Sequence, residues 1–117
     1  MRPGIWVGHV DLKTHDLAAS TEFMEMIGLR LCFKFEEISI FELRGGTHLI
    51  LQKGAPGDTE FDFMVEDIDA SYTEFKDKGL KVSELSRGKI HDSFEVMEPG
   101  GNTIKINSTH VEDHAEV

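Results

Sequence analysis

His9, Asp11, Glu60 and Lys105 are the residues from which chemistry could come. The first three sit in segments where polar and apolar residues alternate, the pattern of a half-buried strand. His9, Asp11 and Lys13 alternate with Val10 and Leu12, and Glu60, Asp62 and Met64 alternate with Phe61, Phe63 and Val65. Lys105 alternates with Ile104 and Ile106 in the same way. Alternation sends each polar set to one side of its strand, away from the apolar set. An imidazole and a carboxylate can move a proton or hold a cation, and an ammonium can hold an anion or neutralise a carboxylate.

The elements that must position these groups occur twice. From Thr59 to Leu80 the chain reads as a strand carrying Phe61, Phe63 and Val65, an N-capping Asp67, a helix with Ile68, Tyr72 and Phe75 on one face, and Gly79 to end it. Subtracting 51 turns Asp67 into Asp16, Ile68 into Leu17, Ser71 into Ser20 and Gly79 into Gly28. The tails also match. Gly45-Gly46-Thr47-His48-Leu49-Ile50-Leu51-Gln52 aligns with Gly100-Gly101-Asn102-Thr103-Ile104-Lys105-Ile106-Asn107 at an offset of 55. Two amphipathic helices could agree by chance, but a shared capping aspartate, helix length, terminating glycine and Gly-Gly turn point to one unit used twice. The larger second offset predicts a longer hairpin in the second half.

In chain order the pattern predicts a strand at 5–13, a helix after Asp16 with Leu17, Met24 and Ile27 toward a core, and strands at 29–35, 38–43 and 47–52. The Gly/Pro-rich stretch 53–59 is a linker. A strand from Glu60, a helix from Ile68 and strands at 80–85, 91–97 and 103–107 follow, and the polar residues from His110 onward form a tail. The order is βαβββ, twice. The fold class is α+β, with curved mixed sheets enclosing a cavity and the helices outside. Val10, Leu12, Phe61 and Phe63 are expected beneath the helices, and the polar set lines the cavity. The whole chain is one domain, with module 1 about 5–52, module 2 about 60–108 and a tail at 109–117.

Bulk properties narrow the function. The 117 residues suffice for one packed domain, and 39% hydrophobic content with eight Phe fits a globular chain. No apolar run approaches the roughly 20 residues that span a bilayer, and the N-terminus lacks the apolar core of a secretory leader. The single cysteine, Cys32, excludes an internal disulfide framework and fits a reducing cytoplasm; it reads as a small buried strand residue. A net charge of −10 argues against nucleic acid but not against a cationic small molecule, which an acidic surface would attract.

Two stretches carry a resemblance. His9-Val10-Asp11-Leu12-Lys13-Thr14-His15-Asp16-Leu17 and Phe94-Glu95-Val96-Met97-Glu98-Pro99-Gly100-Gly101-Asn102 resemble the opening strand and the D-P-x-G-N turn of the vicinal oxygen chelate superfamily, the glyoxalase, bleomycin-resistance and extradiol dioxygenase fold. Glu98 stands where that turn has aspartate. The resemblance spans residues 5–108. In its metal-dependent members one ligand comes from the first and one from the last strand of each module, which implies His9, Ile50, Glu60 and Lys105 here. His9 and Glu60 suit Zn, Ni, Fe or Mn; Ile50 cannot bind, and Lys105 would oppose a metal cation. His48 and Gln52 share the face of Ile50, and either could serve if the register differs by two residues. A lysine facing a glutamate resembles an ion pair in the place of a metal.

Three readings result. The first is a small-molecule binding protein without a cofactor, similar to the bleomycin-resistance members, with Trp6, Asp11, His48, Ile50, Gln52 and Glu60 around the ligand. Phe94 could also face the ligand but fits the core better. The second is a divalent-metal-dependent lyase or isomerase of glyoxalase type, or a dioxygenase, with His9 and Glu60 as ligands. The third is metal-free acid–base chemistry, with His9 and Glu60 sharing a proton and Lys105 holding an anion. His15, His91, His110 and His114 have loop or tail contexts and read as solvated. The expected partners are a small-molecule ligand and a second copy of the chain, since open sheet edges need cover; neither nucleic acid nor a membrane is expected.

Overall fold

Two capping aspartates decide where the helices begin. Strand β1 (His9–Thr14) leads to Asp16, whose carboxylate accepts the amide of Ala19 at 3.0 Å and opens helix α1 (Leu17–Met26). Strand β5 (Asp58–Val65) leads to Asp67, which does the same for Ala70 at 3.0 Å and opens helix α2 (Ile68–Asp77). Each cap satisfies an amide that has no partner within the first helical turn. Gly28 and Gly79, at φ of 113° and 78°, end the two helices in the left-handed conformation that glycine adopts without steric cost. The computed structural model describes residues 4, 5 and 7–109.

Strands β2 (Arg30–Lys34), β3 (Ile38–Glu42) and β4 (His48–Lys53) follow α1, and β6 (Lys81–Val82), β7 (Ser93–Met97) and β8 (Thr103–Ser108) follow α2. The predicted βαβββ order is thus present twice. The first sheet runs β1-β4-β3-β2 and the second β5-β8-β7-β6, so the two modules have the same strand order. In the first sheet β1 lies parallel to β4, and the other neighbours are antiparallel.

The chain divides into two compact units. One holds Val7–Asp58 together with Glu98–Asn102; the other holds Thr59–Met97 and β8. In the first unit Leu12, Leu17, Phe23, Met24, Phe41, Leu49 and Leu51 are buried between α1 and its sheet. Each such side chain contributes on the order of 1.5–3 kcal/mol through removal from water. Hydroxyls on this side are paired, Thr21 with Ser39 at 2.9 Å and Thr14 with Ser20 at 2.6 Å. In the second unit Ile68, Phe75, Val96, Ile104 and Ile106 surround Phe94, which receives Tyr72 at 5.0 Å and Phe75 at 5.5 Å edge-on. Phe94 is therefore a core residue.

Several expectations need correction. The first strand begins at His9 rather than Ile5, and Ile5 and Val7 are exposed. The strand expected at 80–85 is only Lys81–Val82, and β7 starts at Ser93 rather than 91. Phe23, not Ile27, fills the middle of the α1 contact; Ile27 is the half-buried C-cap. Cys32 is half-buried at the irregularity between Leu31 and Phe33, not a core residue. His91 is half-buried, its Nδ1 at 2.8 Å from the Ser108 carbonyl oxygen, rather than solvated. His110 and His114 lie outside the described residues.

Candidate functional site

The helix-free face of the first sheet carries the residues of interest. The register sets His9 opposite His48, Asp11 opposite Ile50 and Lys13 opposite Gln52. On the other side of β4, Glu42 faces His48, Ile40 faces Ile50 and Ile38 faces Gln52. Arg30 then faces Glu42, and Phe33 faces Ile40. Directly opposed residues share a face, so three rows cross the sheet. One is polar throughout: His9, His48, Glu42, Arg30. The next is Asp11, Ile50, Ile40, Phe33. The third runs Lys13, Gln52, Ile38 and ends beside Phe35, whose amide donates to the Ile38 carbonyl at 2.8 Å. Phe33 and Phe35 are 58% and 57% exposed, with their rings stacked at 6.1 Å.

His48 is thus the residue beside His9. The two imidazoles are stacked at 5.7 Å between centroids with 24° between planes. Ile50, the position that the resemblance implies, lies one row away beside Asp11. The far end of the polar row is an ion pair in which Arg30 Nε donates to Glu42 at 2.8 Å and a terminal nitrogen approaches the same oxygen at 2.7 Å. This hydrogen bond raises the Arg30 pKa above its usual value. Sequence reasoning missed Glu42, Arg30, Ile40 and Ile38. The alternation of Ile38, Ile40 and Glu42 against buried Ser39 and Phe41 was the available signal.

Glu60 and Lys105 belong to the second unit, where both are exposed on β5 and β8. Lys105 faces Glu95 across β7. On this face Asn107 donates to Asp62 at 2.7 Å. Among the described residues neither Glu60 nor Lys105 takes part in an ion pair within 4.0 Å, so the expected couple of opposite charges is not closed. Water explains this: an exposed pair gains little Coulomb energy and loses side-chain freedom. Trp6 lies outside the described residues.

The donor chemistry at the positions implied for a metal is one imidazole, one alkyl group, one carboxylate and one ammonium, which is not a metal-binding set. Taking His48 in place of Ile50 gives the first unit two imidazoles side by side. Among the described residues, no group of three or more His, Cys, Asp or Glu side chains is gathered as metal ligands.

A second polar cluster, buried, was visible in sequence only as a turn. Glu98 is 3% exposed. It accepts from the Ser20 hydroxyl at 2.5 Å, from the Gly100 and Asn102 amides at 2.7 and 3.0 Å, and from Asn102 Nδ2 at 2.6 Å. In the second unit Arg87 spans Asp69 and Asp92, donating to them at 2.5 and 2.9 Å. Its guanidinium holds the Asp69 carboxyl below the usual aspartate pKa.

No protein-family model matches the sequence, and no curated protein matches it. Solved structures do. A lactoylglutathione lyase from Agrobacterium tumefaciens superposes with a TM-score of 0.79 at 21% identity, covering 92% of this chain and 96% of that one. A member of the glyoxalase/bleomycin resistance protein/dioxygenase superfamily from Sphaerobacter thermophilus gives 0.75 at 16% identity, covering 89% and 97%. A glyoxalase/bleomycin resistance protein/dioxygenase from Alicyclobacillus acidocaldarius gives 0.71 at 17% identity, covering 97% of each chain. These identities speak to architecture alone. With βαβββ present twice and near-complete coverage in each superposition, the chain has the vicinal oxygen chelate fold.

Proposed function

We propose that the protein binds a small molecule on the helix-free face of its first sheet and acts as a binding protein rather than through a complete metal centre. The observation that carries this reading is an apolar strip of half-buried Ile50 and Ile40 and exposed Phe33, bordered by Asp11 and by the His9–His48–Glu42–Arg30 row. Apolar surface rimmed by polar groups is where ligands dock. A flat aromatic portion would lie on the isoleucines and Phe33, and a cationic group would meet Asp11; the net charge of −10 favours such a ligand over an anion. Calorimetric titration with flat cationic aromatic compounds, bleomycin-type glycopeptides included, tests it. Binding should fall about tenfold or more in Ile40→Lys, which puts an ammonium on the strip. Wild-type protein that binds none of them, or an Ile40→Lys variant that binds equally well, overturns it.

One observation favours a second reading, a divalent-metal-dependent lyase, isomerase or dioxygenase. It is the in-register pair His9 and His48, two imidazoles side by side. These two imidazoles would hold the ion, and a bound divalent ion would supply Lewis-acid chemistry toward substrate oxygens. Metal analysis after mild purification separates the readings. Stoichiometric Zn, Ni, Fe or Mn that disappears in His48→Ala would replace the binding-only reading.

We further read the protein as a cytoplasmic homodimer. Each four-stranded sheet leaves two edge strands; exposed Phe33 lies on one of them, β2, and exposed Phe35 just beyond its end. Sedimentation at micromolar concentration showing only a 13 kDa species would exclude the dimer. No helix among the described residues is long and apolar enough to cross a membrane.

A further inference from the structure

The first βαβββ repeat is complete in sequence at β4, yet its packing is not. Thr14 at the end of β1 and Ser20 in α1 are buried hydroxyls, 1% and 0% exposed, that hydrogen-bond to each other. The chain that covers them is Glu98–Asn102, which arrives only after β5, α2, β6 and β7 have been made. This turn packs with the first unit although the strands on both sides of it belong to the second. Its contacts are numerous and polar. Glu98 takes the Ser20 hydroxyl, the Gly100 carbonyl accepts the His15 amide at 2.9 Å, and Asn102 Nδ2 donates to the Lys13 carbonyl at 2.6 Å. The Asn102 side-chain oxygen accepts the Gly57 amide at 3.0 Å. The fit is tight: a Cβ on Gly100 would stand 1.7 Å from Thr14 Oγ1 and 2.2 Å from Ser20 Oγ.

The repeat does not supply a substitute. At the offset of 55, the turn of the first module has Leu43 for Glu98 and Thr47 for Asn102. It lacks the carboxylate that collects four donors and the amide that bridges two backbone segments.

We propose that the Glu98–Asn102 turn is a closing strap for the first unit, so that β1 and the start of α1 become stable only when the β7–β8 hairpin has formed. Without the strap, the buried Ser20 hydroxyl loses its carboxylate acceptor, which is costly, and the amides of His15 and Gly57 and the Lys13 carbonyl lose partners at less buried positions. The N-terminal repeat then does not become native ahead of the β7–β8 hairpin.

Hydrogen exchange on the full chain tests this. In pulse-labelled refolding, the amides of His15, Ser20, Phe23 and Met24 should gain protection no earlier than those of Ile104 and Ile106. Protection of the α1 amides ahead of β8 overturns the proposal. In native-state exchange, Glu98→Ala should accelerate the His15, Asp16 and Ser20 amides about tenfold or more while leaving Ile104 and Ile106 unchanged. No change at His15 and Ser20, or equal acceleration in both units, overturns it. If Glu98→Ala does not fold, Glu98→Gln decides in its place. It keeps the shape, turns one acceptor into a donor, and should accelerate the same three amides by a smaller factor.

Discussion

Ser20 donates its hydroxyl to Glu98 at 2.5 Å across 78 residues of sequence, and both groups are buried. The carboxylate has no cation beside it among the described residues; its charge is met by hydroxyl, amide and side-chain N–H donors alone. Removing one donor and removing the acceptor are therefore unequal changes. Ser20→Ala leaves Glu98 with three donors and should cost about 1–3 kcal/mol. Glu98→Ala leaves Ser20, Asn102 Nδ2 and two amides short of a partner at once and should cost about 3–4 kcal/mol. Urea unfolding of the two variants should rank them in that order, and a reversed order would show that the cluster is held by something other than the carboxylate.

Gly100 faces the same cluster from the turn. Alanine there drives a methyl group into Thr14 and Ser20, so the strap must lift or the hydroxyls must rotate away from each other. Overpacking of this kind costs about 1–3 kcal/mol. Gly45, its counterpart in the first module, sits at φ 87° with open space around the Cβ position. Gly45→Ala should destabilise through backbone strain and Gly100→Ala through steric overlap. Trimming Thr14 to alanine should relieve part of the second cost and none of the first, which thermal unfolding of the double variants will read.

The Arg87–Asp69 contact gives a pH dependence whose sign is fixed. The guanidinium hydrogen bond lowers the pKa of Asp69 in the folded state. A carboxyl with a depressed folded pKa contributes stability above its unfolded value, and that contribution is lost as pH falls through the folded one. Both partners are exposed, at 58% and 62%, so the effect is small and weakens with salt. In an NMR titration the Asp69 carboxyl of Arg87→Gln should titrate at a higher pH than in the wild type. Identical midpoints would mean that the contact is not populated in solution.

Much of this arrangement was legible before any coordinates. Asp16 and Asp67, Gly28 and Gly79, and the two Gly-Gly turns mark helix starts, helix ends and hairpins by chemistry that acts over a few residues, which is why the repeat could be read at fixed offsets. The face of each strand was legible too, because alternation has period two. Register was not. Whether His9 stands beside His48 or Ile50 depends on how far β4 slides along β1, and a two-residue slide keeps every side chain on its own face. Nor was the destination of the Glu98 carboxylate legible. A turn that reads as a local reversal is also a long-range contact, and nothing in Glu-Pro-Gly-Gly-Asn names Ser20 as its partner.

The register of β1 and β4 makes a last prediction that separates the two functional readings by residue. If the first sheet holds an apolar ligand, Ile50→Lys should damage binding as Ile40→Lys does, since the two face each other across β3 and β4. His48→Ala should then weaken binding only modestly, because the polar row borders the strip without forming it. If a metal is held instead, the order reverses: His48→Ala loses the ion, and Ile50→Lys retains some of it, because Ile50 faces Asp11 rather than His9. Both positions are half-buried on an inner strand, so each substitution should also cost about 0.5–3 kcal/mol of stability, which is read separately. Measuring ligand affinity, metal content and unfolding free energy on the same three variants therefore assigns the role of the face. Binding that survives Ile40→Lys and Ile50→Lys, together with metal absent from the wild type, would remove both readings.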